Sequence, residues 1–148
     1  MNFRRLCIAS LLLLGFCLCA NPNPQQTRWL SYEPTVVELE GNLTVEIKYG
    51  PPNYGENPKT DEKVNVPILV LSQPINVRGD PKSELNKETV EGVTRIQLVF
   101  DKTSTTYKQF VGSRVLVKGT LFKAHSGHHY TDVLVSVQDI RKQLDKRN

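Results

Sequence analysis

Cysteine is nearly missing from this 148-residue chain, and the three copies it has, Cys7, Cys17 and Cys19, all fall within the first twenty residues. Those residues have the layout of a secretory signal peptide: Arg4 and Arg5, an almost unbroken apolar run from Leu6 to Leu18, then Ala20 and the polar NPNPQQ. Cleavage after Ala20 leaves a mature chain without a thiol, which excludes disulfides, thiolate catalysis and Cys-ligated zinc. The apolar run is shorter than the roughly 20 residues that span a bilayer, so a retained membrane span is not expected. Lipidation at Cys17 or Cys19 is the alternative route to the membrane, although Phe16 and Leu18 stand where a lipoprotein signal carries a small residue. Strong charge is absent as well. Removing Arg4 and Arg5 lowers the formal balance from +4 to +2, too mild for nucleic acid. Also lacking are a serine nucleophile elbow, a recognisable carboxylate pair and a phosphate-cradling glycine loop, so neither an enzyme nor a resident cofactor is expected.

What is present reads as strands. Residues 21–34 are rich in proline and glutamine and lack periodicity, which predicts a flexible tether. From Thr35 the odd positions become apolar (Val37, Leu39, Leu43, Val45, Ile47, Tyr49), with Gly41 in the same phase. This pattern predicts a long strand bent at its glycine and shared by two sheets. Val64–Leu71 reads as a strand buried on both faces, and Val93–Phe100 as a third. Between them, Pro74–Glu91 reads as a polar excursion with at most a turn of helix at Ser83–Lys87. Asp101–Gly112 predicts one helix of two or three turns, capped by Thr103 or Ser104, with Tyr107 and Phe110 on one side. Ser113–Lys123 and Thr131–Ile140 complete five strands, and 142–148 is a charged tail. The order β-β-β-α-β-β over residues 35–141 predicts an all-β domain with one short helix, an OB-fold-like five-stranded Greek-key barrel. An SH3-like barrel fits less well, because its helical turn falls between the last two strands.

All three histidines lie in AHSGHHYT, residues 124–131, between the last two strands. Facing inward residues across the ladder pairs Leu121 with Thr131, Gly119 with Val133 and Val117 with Val135. That register leaves His125-Ser126-Gly127 as a three-residue turn, with His128 outward and His129 inward. Imidazoles ligate transition metals, so His125, His128 and His129 form a candidate metal set, weakened by the inward direction of His129. The same side chains titrate near neutrality, which leaves weak hydrolytic chemistry as a third possibility.

A second unusual segment is GPPNYGENPKTDEK, residues 50–63, whose density of turn residues excludes a strand. In OB-folds the loop joining strands one and two and the loop joining strands four and five flank the usual binding face. Both unusual segments occupy those loops. Tyr54 and Tyr130 are candidate aromatic platforms, and Asn53, Glu56 and Asp61 candidate polar contacts, beside His125 and His128.

GPPNYGENPKTDEK, PINVRGD (residues 74–80), TRIQLVF (94–100) and VKGTLFKAHSGHHYTDVL (117–134) together resemble the bacterial family called domain of unknown function 4431. The likeness covers most of residues 36–140. It implies a small exported protein with a leader or a lipid anchor, and it implies nothing about mechanism. The sequence therefore predicts an exported, periplasmic or secreted, monomeric binding module without catalysis. Its expected partner is a protein or an envelope glycan, with transition-metal binding as the alternative.

Overall fold

The computed structural model describes residues 27–101 and 106–143. The predicted leader, the caps at Thr103 and Ser104 and most of the charged tail lie outside these. Among the described residues six strands are present: β1 (Arg28–Ser31), β2 (Val36–Tyr49), β3 (Lys63–Arg78), β4 (Val90–Val99), β5 (Arg114–Lys123) and β6 (Val133–Lys142), with a 3-10 turn at Thr106–Phe110 between β4 and β5. The expected all-β class is therefore observed, and β2 to β6 follow the expected β-β-β-helix-β-β order. Pairings β2–β3, β3–β4, β4–β6, β6–β5 and β5–β2 return to their start, with β4–β6 parallel and the others antiparallel. The result is a mixed sheet closing in a ring, not a true barrel, with β1 added along β3.

The bend in β2 is where the sequence placed it. Residues 36–42 pair with β5 and residues 41–49 with β3, so Gly41 belongs to both ladders. A Cβ at Gly41 would run into the Val70 carbonyl, which is why the crossing needs glycine. Inside the ring lie Leu39, Leu43, Leu69, Val77, Ile96, Leu98, Val115, Val117, Leu121, Val133 and Val135, each at most 2 % exposed. Each contributes about 1.5 to 3 kcal/mol by leaving water. Phe100 stacks on Tyr107 with centroids 5.1 Å apart, and both pack against this core with Phe110.

Four expectations need correction. The tether predicted over 21–34 gives way at Arg28 to β1, which runs parallel to β3 from Arg28↔Ile75 to Ser31↔Arg78 and buries Leu30. Four residues are too few to show a period, and their partner is the far half of β3. That half falls in Pro74–Glu91, whose polarity and Gly79-Asp80-Pro81 predict an excursion. β3 instead continues to Arg78, since Pro74 falls in a register shift between Val70 and Ile75 where no ladder bond is required of it. Ser83–Lys87, where at most a turn of helix is expected, forms bends; the third correction is that the described part of the Asp101–Gly112 helix is a five-residue 3-10 turn.

The fourth correction concerns the histidine hairpin. Leu121 pairs with Val135, Gly119 with Val137 and, beyond a bulge at Lys118/Gly119, Val117 with Ile140. Both predicted and observed registers set inward residues opposite each other, so alternation alone did not discriminate between them. The observed register is displaced by four residues at Leu121. This turns the three-residue turn into a nine-residue loop, 124–132, closed by the Ala124 N–H donating to the Asp132 carbonyl at 3.0 Å.

Candidate functional site

The loop at 124–132 folds over the outside of the ring. Leu121, Leu69 and Ile96 point into the core, so their neighbours Phe122, Ile68 and Gln97 point to the opposite face. Ile68 and Leu134 are nevertheless fully buried. Gln97 fixes the cover: its Nε2 donates to the His128 carbonyl at 2.9 Å and its Oε1 accepts the Tyr130 N–H at 2.7 Å. Its own backbone N–H donates to the Thr131 hydroxyl at 3.0 Å. One buried amide thus grips the loop at two backbone groups. The sequence held a signal for it, a polar residue flanked by the apolar Ile96 and Leu98-Val99-Phe100, but nothing said which segment it would meet.

The loop at 50–62 is organised by a carboxylate. Asp61 Oδ1 accepts the Asn53 backbone and side-chain N–H groups at 2.9 and 3.1 Å, and Oδ2 accepts those of Gly55 and Asn57 at 2.7 and 3.2 Å. Burial works to raise the Asp61 pKa, and the donors at Gly55, Asn53 and Asn57 overcome it, so the group lies below the ordinary carboxylate range. Asp61 and Asn53 are therefore spent on the loop itself. Tyr54, at φ 54°, and Gly55, at φ 106°, make the left-handed turn that these donors hold. Glu56 is exposed beside them.

The two loops clasp each other. The Tyr54 hydroxyl lies 2.9 Å from His128 Nε2, and the two rings meet edge to face with centroids 4.9 Å apart. Gly127 lies under the Tyr54 ring, where a Cβ would come within 3.1 Å of ring carbons. A second tie runs from the Tyr130 hydroxyl to the Tyr49 carbonyl at 2.9 Å. Burial, followed by the nearby Tyr54, pushes the Tyr130 pKa upward.

The structure divides the three histidines. His128 faces Tyr54, whereas His125 and His129 stack edge to face 4.6 Å apart over Phe122. The predicted inward direction of His129 is corrected with the register: it packs on the outer face. His129 Nδ1 accepts the His125 N–H at 2.9 Å, so in its neutral form the proton sits on Nε2. His125 Nδ1 lies 2.9 Å from the Lys123 carbonyl, which only accepts, so that nitrogen carries a proton. Burial, then the neighbouring His125 and His128, lowers the His129 pKa. A metal on His129 would have to displace either its Nε2 proton or the bond at Nδ1. Among the described residues no group of three or more His, Cys, Asp or Glu is placed to hold a metal ion.

Two hollows escaped the sequence reading. One, of about 300 Å³, lies beside Tyr130, Thr131 and Asp132 and is floored by Gly92 and Arg95. The other, of about 290 Å³, opens between β1, β2 and the kink of β3, with Arg28, Leu39, Leu71 and Ile75 on its walls.

Fold and loops together define a small β-ring protein with two clasped loops on one rim. Residues 95–141, from β4 to β6, are similar to the family model described as Domain of unknown function (DUF4431). The match contains Gln97, all three histidines and Tyr130, while the loop at 50–62 lies outside it. No curated protein matches the chain.

Proposed function

We propose that this protein is an exported, non-catalytic binding module that recognises a protein or an envelope glycan through the rim built by residues 50–63 and 124–131. The observation that carries the reading is the clasp. Two loops far apart in sequence are held as one surface by Tyr54 and His128, with a second tie from Tyr130. Preorganised loops lose less entropy on binding than mobile ones, and aromatic rings offer contact area at low entropic cost. His125, Ser126, His128 and Glu56 stand exposed along that surface. Export rests on the leader-like residues 1–20, with lipidation at Cys17 or Cys19 as the anchored variant.

The test is retention of envelope proteins and of solubilised envelope glycan on the immobilised protein, compared with Glu56→Ala, Tyr54→Ala and Tyr130→Ala. Glu56→Ala leaves the clasp standing, so a loss of retention there reports the surface itself. Equal retention by all three variants would rule this rim out as the binding face.

A further inference from the structure

The second half of β2 leaves an open edge. On one side residues 41–49 pair with β3 in unbroken register, but on the other side pairing with β5 stops at Asn42. The direction of the backbone groups follows from the bonds at either end. Gly50 donates to the Glu62 carbonyl of the β3 side, whereas Leu43 bonds on the opposite side, donating to the Ser113 carbonyl and accepting the Gly112 N–H. Backbone groups alternate along an antiparallel strand, so Leu43, Val45, Ile47 and Tyr49 all direct theirs away from β3. Leu43 is satisfied by Gly112 and Ser113, and the Tyr49 carbonyl by the Tyr130 hydroxyl. Among the described residues, none pairs with the N–H and C=O of Val45 and Ile47 or with the Tyr49 N–H. On the same window Ile47 is 68 % exposed and Tyr49 38 % exposed, large apolar side chains on a strand that alternates with Glu46 and Lys48.

We propose that this edge is a self-association surface on which a second copy of the chain pairs antiparallel, Ile47 against the partner subunit's Ile47. The sequence TVEIKY selects the occupant and the register. Only odd residues offer outward bonds, so a two-fold ladder is centred on 45, 46, 47 or 48. A centre at Glu46 or Lys48 sets like charges directly opposite each other, and a centre at Val45 requires Leu43, whose N–H and C=O are both already bonded, whereas a centre at Ile47 requires Tyr49, whose N–H is open and whose carbonyl keeps a second lone pair beside the Tyr130 hydroxyl. Centred on Ile47, Glu46, which its own chain already pairs with Lys48 at 2.9 Å and with Arg95, lies opposite the partner subunit's Lys48, and Lys48 opposite the partner subunit's Glu46, so the ladder extends an existing pair of charges across the two-fold, while Val45 meets the partner subunit's Tyr49. Opposite charges at directly facing positions favour a ladder and like charges oppose it. A C2 contact is self-complementary in this way. The inference is independent of the rim reading and departs from the monomer expected from sequence. A ladder of this length covers less than the roughly 1,200–2,000 Å² of a stable interface, so the dimer is weak and concentration-dependent.

Sedimentation of the purified protein from the whole chain, up to roughly 1 mM, tests this. The expected result is a reversible dimer, weakened at least about tenfold by Glu46→Lys alone and by Lys48→Glu alone. An equimolar mixture of the two variants should recover association, because an all-lysine edge then meets an all-glutamate edge. A monomer at every concentration overturns the proposal. So does a dimer that the single variants leave unchanged, or a mixture that fails to recover. Should either variant not fold, amide exchange of the unaltered protein decides: protection at Val45 and Ile47 rises with concentration if the edge pairs, and a flat response overturns it.

Discussion

Replacing Gln97 with alanine removes a single side chain from β4 and is expected to loosen the candidate site more than the ring. The amide donates to the His128 carbonyl and accepts the Tyr130 N–H, and both groups lose their partner at once. A buried polar group left unpaired costs about 1 to 3 kcal/mol. His128 is exposed, so water reaches part of its share, whereas Tyr130 is half-buried and bears more of the penalty. The sum is about 2 to 3 kcal/mol. Part of it is expected as local opening of residues 124–132 without unfolding of the core. Urea unfolding reads the global share, and hydrogen exchange at the Tyr130 amide reads the local one. Gln97→Glu separates the two bonds, since it keeps the acceptor for Tyr130 and sets a carboxylate against the His128 carbonyl. That repulsion raises the folded pKa of the new acid, so its penalty is present near neutral pH and fades as pH falls through that raised value. Stability of Gln97→Ala within about 0.5 kcal/mol of the parent, with unchanged protection at Tyr130, would refute the bracket as the loop's anchor.

Two further perturbations report on neighbouring groups. The folded pKa of His129 is depressed, so the unfolded chain binds its proton first: stability is level above the unfolded value of about 6.5, falls as pH drops through the folded value, and is level again below it. His129→Gln should flatten that slope in urea midpoints compared between about pH 7.5 and 5.5, and an identical slope would contradict the assignment. Tyr32 is 3 % exposed with a hydroxyl that has no hydrogen-bond partner among the described residues, and burial, followed by Glu88 and Asp132, pushes its pKa up to about 12. Tyr32→Phe is therefore expected to be neutral or stabilising by about 1 kcal/mol in thermal unfolding, and a loss of more than about 1 kcal/mol would show that the hydroxyl is partnered.

The sequence determined the all-β class, the bend at Gly41, the position of the helical turn and the two segments that form the rim, because each leaves a local signature in alternation or turn chemistry. The resemblance to domain of unknown function 4431 was legible for the same local reason, in the run through AHSGHHYT. Tertiary structure decided the rest. Four residues of β1 became a strand only because the far half of β3 runs beside them, and Pro74 was tolerated only because the ladder slips there. The β5–β6 register could not follow from alternation, which repeats every two residues and permits a displacement of four; the bulge and the Gln97 bracket chose it. With the register went the histidines. Whether three imidazoles converge is a question of loop path, and the path placed His128 on Tyr54 and the other two on Phe122. Composition could show that every histidine lies in one window, but only packing over the outer face could show that the window is shared between two neighbourhoods.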